Sequence, residues 1–200
     1  MHDLNKFKSA FEDIICEWNS AEKCIKQSEQ INHAVVFPAV KELRYAGRQM
    51  IDALQLIYKS GDESKISEHL IDAKLGCNRA RHDAVDAGIS KIAIDLDTMV
   101  KRFSPTLIFQ MNPNYPDLIS LLEIIQKKIV DSREHRADRD AIYTQIEKDE
   151  FPKIISLYEV VKPSAAAMQK AVQRDHYQRR IAYLFAAVGL LAAIFSLIVR

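Results

Sequence analysis

The stretch Leu4 to Ile25, LNKFKSAFEDIICEWNSAEKCI, sets apolar side chains at Leu4, Phe7, Phe11, Ile14, Trp18, Ala21 and Ile25. Alternating steps of three and four, held for three heptads, predict one helix with a continuous seam. The pattern weakens after Gln30 and resumes at Pro38, which suits a first helical turn because its missing N–H is not needed there. Val40, Leu43, Gly47, Met50, Leu54 and Ile57 carry the second helix until Ser60 and Gly61 end it, and the two helices are expected to pack antiparallel.

Downstream the period remains helical. Ile66, Leu70, Ala73 and Cys77 form one stripe, and Val85, Ile89, Ile92, Leu96, Met99 and Phe103 form another on a shifted face. Gly76 and Gly88 each disfavour a helix interior by about 1 kcal/mol, so a kink or break is expected between Cys77 and Gly88. Pro105, Pro113 and Pro116 mark an irregular connection holding at most a short helical turn. Leu118, Leu121, Leu122, Ile125 and Ile129 open a further long helix that is expected to cross the charged run Asp131–Asp140 as a solvated face. Pro152 and Pro163 bracket a short helix, and an Ala-rich segment starts at Ser164. No segment alternates as a strand does, so the expected class is all-α, a bundle of long helices.

The end of the chain adds a second expectation. Ile181–Val199 is a run of nineteen residues without a charge, closed by Arg200. At 1.5 Å per residue it would measure roughly 28 Å, near the ~30 Å hydrocarbon core of a bilayer, and it reads as a C-terminal single-pass transmembrane helix. Lys162, Lys170, Arg174, Arg179 and Arg180 precede it with only Asp175 between them, so the positive-inside rule would keep the N-terminal portion cytosolic at an inner membrane. The division expected is a bundle over 1–162, a basic stem over 163–180 and a span over 181–199. Lys170, Arg174, Arg179 and Arg180 would face lipid head groups. Ala182, Ala186, Gly189, Ala193 and Ser196 recur at steps of four and three, a small-residue face suited to helix association in lipid.

Charge and composition exclude several classes. Residues 1–161 carry a net charge of −4 and the stem +4, which lacks the broad positive field of a general nucleic-acid binder. The five glycines are dispersed, so no glycine-rich phosphate loop is present. Cys16, Cys24 and Cys77 show no Cys-x-x-Cys pairing, no carboxylate stands three residues before a histidine, and no His-Glu-x-x-His motif occurs. No metal, cofactor, catalytic residue or small-molecule substrate is expected. The reading is therefore of a protein that is not an enzyme.

Two polar clusters stand out on predicted helices: Glu42-Leu43-Arg44-Tyr45-Ala46-Gly47-Arg48 and Arg79-Ala80-Arg81-His82-Asp83-Ala84-Val85-Asp86. Pairs at i,i+4 are Arg44 with Arg48, Arg79 with Asp83, and His82 with Asp86. Interhelical ion pairing is one reading. The other is a single anion or RNA pocket lined by Arg44, Arg48, Arg79, His82 and Asp86.

These clusters, in their order from Pro38 to Phe103, resemble bacterial HEPN-type helical domains, many of which belong to toxin and antiviral systems. Ribonuclease members of that superfamily carry Arg, four to six arbitrary residues, then His. Here no arginine stands five to seven positions before any of the six histidines, so the catalytic motif is not carried over. A HEPN-like bundle with a membrane segment is also similar to transmembrane accessory proteins found beside RNA-targeting CRISPR systems, which implies host-membrane damage as a role. The expectation is a homo-oligomeric membrane effector, pore formation included, with the bilayer and further copies of itself as partners. A membrane-bound ribonuclease or RNA-binding protein, and an adaptor recruiting one protein partner, are the alternatives.

Overall fold

The computed structural model describes residues 3–198, and side chains over 3–189. A 3-10 turn, Leu4–Phe7, leads into α1 (Lys8–Asn32), followed by α2 (Phe37–Tyr58), α3 (Glu63–Arg102), α4 (Pro105–Met111), α5 (Tyr115–Glu134), α6 (Arg139–Gln145), a π-helical turn (Ile146–Glu150), α7 (Phe151–Val161) and α8 (Ser164–Ile198). No strand occurs among the described residues, and the protein is all-α.

Local chemistry sets the helix boundaries. Pro38, Pro105, Pro116 and Pro152 each occupy the first turn of a helix. Asp62 and Ser104 cap α3 and α4 by accepting from the backbone N–H of Ser64 and Leu107. His33 and Ser60, both left-handed at φ 53° and 54°, follow the ends of α1 and α2.

α3 organises the molecule. Its 40 residues span about 60 Å, and α1 and α2 pack against it far more extensively than against each other. The expected break between Cys77 and Gly88 does not occur, because both glycines serve close packing. A Cβ on Gly76 would lie 3.0 Å from that of Ala46, and one on Gly88 would lie 2.9 Å from Ser28 Oγ and 3.0 Å from the Phe151 ring. The apparent shift of stripe arises because the middle of α3 is buried on nearly every side: Asn78, Ala80, Arg81, His82, Ala84 and Val85 are all buried. Ala39, Ala46 and Ala53, one heptad apart on α2, are also buried and let that helix lie close to α3.

The rest of the core forms where Ile89, Ile92 and Leu96 of α3 meet Leu118 and Ile125 of α5, Ile154 and Val161 of α7, and Met168 of α8. α5 stops at Glu134 instead of crossing the charged run. Residues 135–138 turn the chain, and α6 restarts at Arg139.

The C-terminal transmembrane helix expected over Ile181–Val199 is corrected. Ser164–Ile198 forms one helix, but no helix among the described residues is long and apolar enough to cross a membrane. The first half of α8 carries Lys170, Arg174, Asp175, Arg179 and Arg180, so the uncharged part of this helix begins only at Ile181. Val199 lies outside the described residues, as do the side chains of Ala193 and Ser196 from the small-residue face. Ala182, Ala186 and Gly189 remain, and a Cβ on Gly189 would meet nothing within 4 Å. The segment expected as a stem begins inside the bundle, where Met168 is fully buried and Ala165 and Val172 pack on the core.

Candidate functional site

α3 carries Arg81 and His82 into the interior at its midpoint, where α1, α6 and the π turn converge. Arg81 is the charged centre. Its Nη1 lies 3.2 Å from a Glu17 oxygen on α1 and 3.4 Å from Glu147 on the π turn, while Nη2 donates to Asp140 on α6. Ser20 of α1 donates to Glu147 at 2.7 Å. A single guanidinium thus holds carboxylates from three elements, and its five donors suit that geometry better than a point charge would. The Nε of Arg81 and the Oδ1 of the buried Asn78 have no protein partner.

His82 sits beside it. Its ring stacks on Tyr143 of α6 with centroids 4.0 Å apart, and its Nε2 lies 3.4 Å from Asp140, at the outer limit of a hydrogen bond. Burial pushes the imidazole below its usual pKa, with Arg139 and Arg81 acting in the same direction against Asp140. Asp140 is held low, chiefly by His82 and then by Arg81 despite partial burial. Tyr143 donates to Asp86 at 2.6 Å, and Arg133 reaches the same carboxylate at 3.4 Å. Asp83 is raised by burial first and by Glu42 and Asp86 next.

Of the residues singled out from the sequence, His82 and Asp86 enter this cluster through the two ends of α6's Tyr143. The expected i,i+4 pairs are replaced by interhelical ones. Arg79 pairs with Glu42 at 2.7 Å rather than with Asp83, and His82 meets Asp140 rather than Asp86. Arg44 and Arg48 lie on the exposed side of α2, where Arg48 pairs with Asp52 and Arg44 leans over Tyr45. Glu17, Asp140 and Glu147 escape a reading of the sequence. They lie far apart in the chain and carry no motif, and the only local sign is that a π turn often marks a specialised position.

Chemically the cluster is a latch. Arg81 occupies the place a cation would take among the acids, and no group of three or more His, Cys, Asp or Glu among the described residues is placed to hold a metal ion. Cys24 and Cys77 are buried, with thiols pushed up to about 12 and about 11, chiefly by desolvation, so neither is a ready nucleophile. The latch fastens α6 and the π turn onto the α1–α3 layer.

His82 gives the latch a pH dependence. Because its folded pKa lies below the usual 6.5, the unfolded chain takes up a proton at mildly acid pH that the folded chain refuses. This contribution to stability is complete above that value and declines as pH falls toward the folded pKa. The urea midpoint should drop between about pH 7 and pH 5.5, and His82→Gln should flatten that drop. Equal slopes in parent and variant would show that His82 does not titrate on unfolding.

A second feature lies on the opposite side of α2. Phe37, Val40, Arg44, Gly47, Ile51, Leu54 and Tyr58 recur at steps of three and four, and this row turns away from α3. Phe37 is 77% exposed, Ile51 59% and Tyr58 74%. Between this row and α1 runs an apolar groove of about 440 Å³ lined by Ile14, Ile15, Trp18, Met50, Ile51 and Leu54. It continues toward Arg44, Tyr45 and Arg48. Gly47 keeps it open over the Trp18 ring, which lies 3.5 Å from where a Cβ would stand.

No protein-family model, curated protein or solved structure matches the chain, so nothing links it to HEPN domains or CRISPR-accessory proteins.

Proposed function

We infer that the protein is a non-catalytic helical scaffold that acts by pairing with a second copy of itself along α2. One observation carries this: α2 has two apolar rows, and only one is used by the fold. Helices of monomeric proteins ordinarily set a polar face against the buried one, and a contiguous exposed apolar face marks an interaction surface.

Self-pairing fits this row better than an unrelated partner does. A two-fold axis through Ile51 runs the paired helices antiparallel and sets Arg44 of each copy opposite Tyr58 of the other. Lys41, Arg44 and Arg48 make one end of the row basic, whereas the exposed ring of Tyr58 occupies the other. The same axis therefore brings a guanidinium onto an exposed aromatic ring, twice. The membrane-effector expectation rested on a spanning helix and is not carried forward. The ribonuclease alternative needs Arg44, Arg48 and Arg79 to gather around His82, whereas each of them has another neighbour.

Light scattering on the purified chain tests the reading. A mass near twice 22.8 kDa that falls toward one copy on dilution supports it. A single-copy mass at every concentration contradicts it.

A further inference from the structure

We propose that a cavity at the junction of α3, α7 and α8 binds an amphipathic anion, an apolar chain or ring carrying one acidic head group. The cavity measures about 450 Å³, within the range of small-molecule sites. Its floor is apolar: Leu96, Met99 and Phe103 of α3 are buried beneath it, and Ala165 and Ala166 of α8 leave room above.

The rim supplies the charge. Lys91, Arg102 and Lys162 border the cavity with a single carboxylate, Asp95, between them. Asp95 is already engaged by Lys91 and by the Tyr158 hydroxyl, both of which donate to it. The other two cations have neutral partners. Arg102 Nη2 donates to Gln169 Oε1 at 3.2 Å, and Lys162 Nζ to His33 Nε2 at 2.8 Å. Among the described residues neither cation is in an ion pair, although Lys162 also acts on Asp95 from a distance, and two positive charges beside an apolar floor favour a ligand anionic at one end and apolar at the other.

The groove between the start of α1 and the start of α3 shows the contrast. It is of similar size, about 540 Å³, but its rim charges pair off, Lys6 with Glu63 and Lys74 with Asp13. No charge there is left for a ligand. The α3–α7–α8 cavity is also remote in sequence from the α2 row, so it stands or falls independently of self-pairing.

Isothermal titration of the full chain with decanoate, and separately with decylammonium, which has the same tail and the opposite charge, tests the assignment. Decanoate should bind at one site per chain and decylammonium about tenfold more weakly or not at all. Lys162→Met and Arg102→Met should each weaken decanoate by about tenfold while leaving thermal unfolding unchanged. Ala166→Trp, at an exposed position over the floor, should block binding without touching a charge. Equal binding of both amphiphiles would mean adsorption of the tail alone and would overturn the proposal. So would the absence of decanoate binding, or undiminished binding in Lys162→Met and Ala166→Trp.

Discussion

Arg81→Ala should destabilise the protein by about 3–5 kcal/mol, a large part of the stability of a domain this size. The loss comes less from the missing attraction than from what remains. Glu17, Asp140 and Glu147 would face one another across a space Arg81 had filled, and Glu147 is itself buried. Each would have to take up a proton or draw water inward. Urea unfolding measures the total. Hydrogen exchange locates it, because α6 and the π turn should lose protection before α2 does. Adding Glu17→Gln and Glu147→Gln to Arg81→Met should recover part of the loss, since a neutral cluster no longer needs the cation. A change below about 1 kcal/mol in Arg81→Ala would place the guanidinium outside the latch.

The second large effect concerns assembly. Ile51→Glu together with Leu54→Glu puts two like charges at the centre of the outward row of α2, and a two-fold pair would bring four together. Central interface positions of this kind cost about 2 kcal/mol or more when lost, roughly thirtyfold in affinity for each site. The double variant should run as a single copy at concentrations where the parent is paired. Its helical content and unfolding midpoint should stay close to those of the parent, because Ile51 and Leu54 are already 59% and 44% exposed in one copy. Loss of helix along with loss of pairing would show instead that these residues support the fold.

How much of this is legible in the sequence differs from element to element. The 3-4 alternation from Leu4 to Ile25 marks α1 because one face of it is buried and the other wet. α2 is equally plain as a helix, but its stripe mixes two faces. Leu43, Met50 and Ile57 pack on the core, while Val40 and Leu54 point outward and Gly47 borders the groove. A helix apolar on both sides gives no single phase. α3 reads as two pieces for the opposite reason, since burial on all sides erases the polar reference and its glycines mark contact rather than breaks. The charged run Asp131–Asp140 has the pattern of a solvated helix face, and Arg133 does stay exposed as it pairs with Asp86, yet Asp140 meets the buried Arg81. Partners drawn from α1, α3, α6 and the π turn leave no local spacing to detect. At the far end, the uncharged run from Ile181 dominates a reading by composition, whereas no helix among the described residues is long and apolar enough to cross a membrane.

The central claim, that α2 pairs with its copy about Ile51, is tested most directly by placing a thiol on the proposed axis. In a Cys16→Ser background, which removes the exposed native cysteine, Ile51→Cys should form a covalent dimer on mild oxidation. Residues on a two-fold axis meet their own copies at a separation a disulfide can bridge, about 4.4–6.8 Å between Cα atoms. Tyr45→Cys, displaced along the helix from the axis, should crosslink far less. Efficient crosslinking at position 51 and little at position 45 is the predicted result. Equal yields at both positions, or a chain that stays monomeric while the thiol introduced at position 51 is oxidised singly, would contradict it.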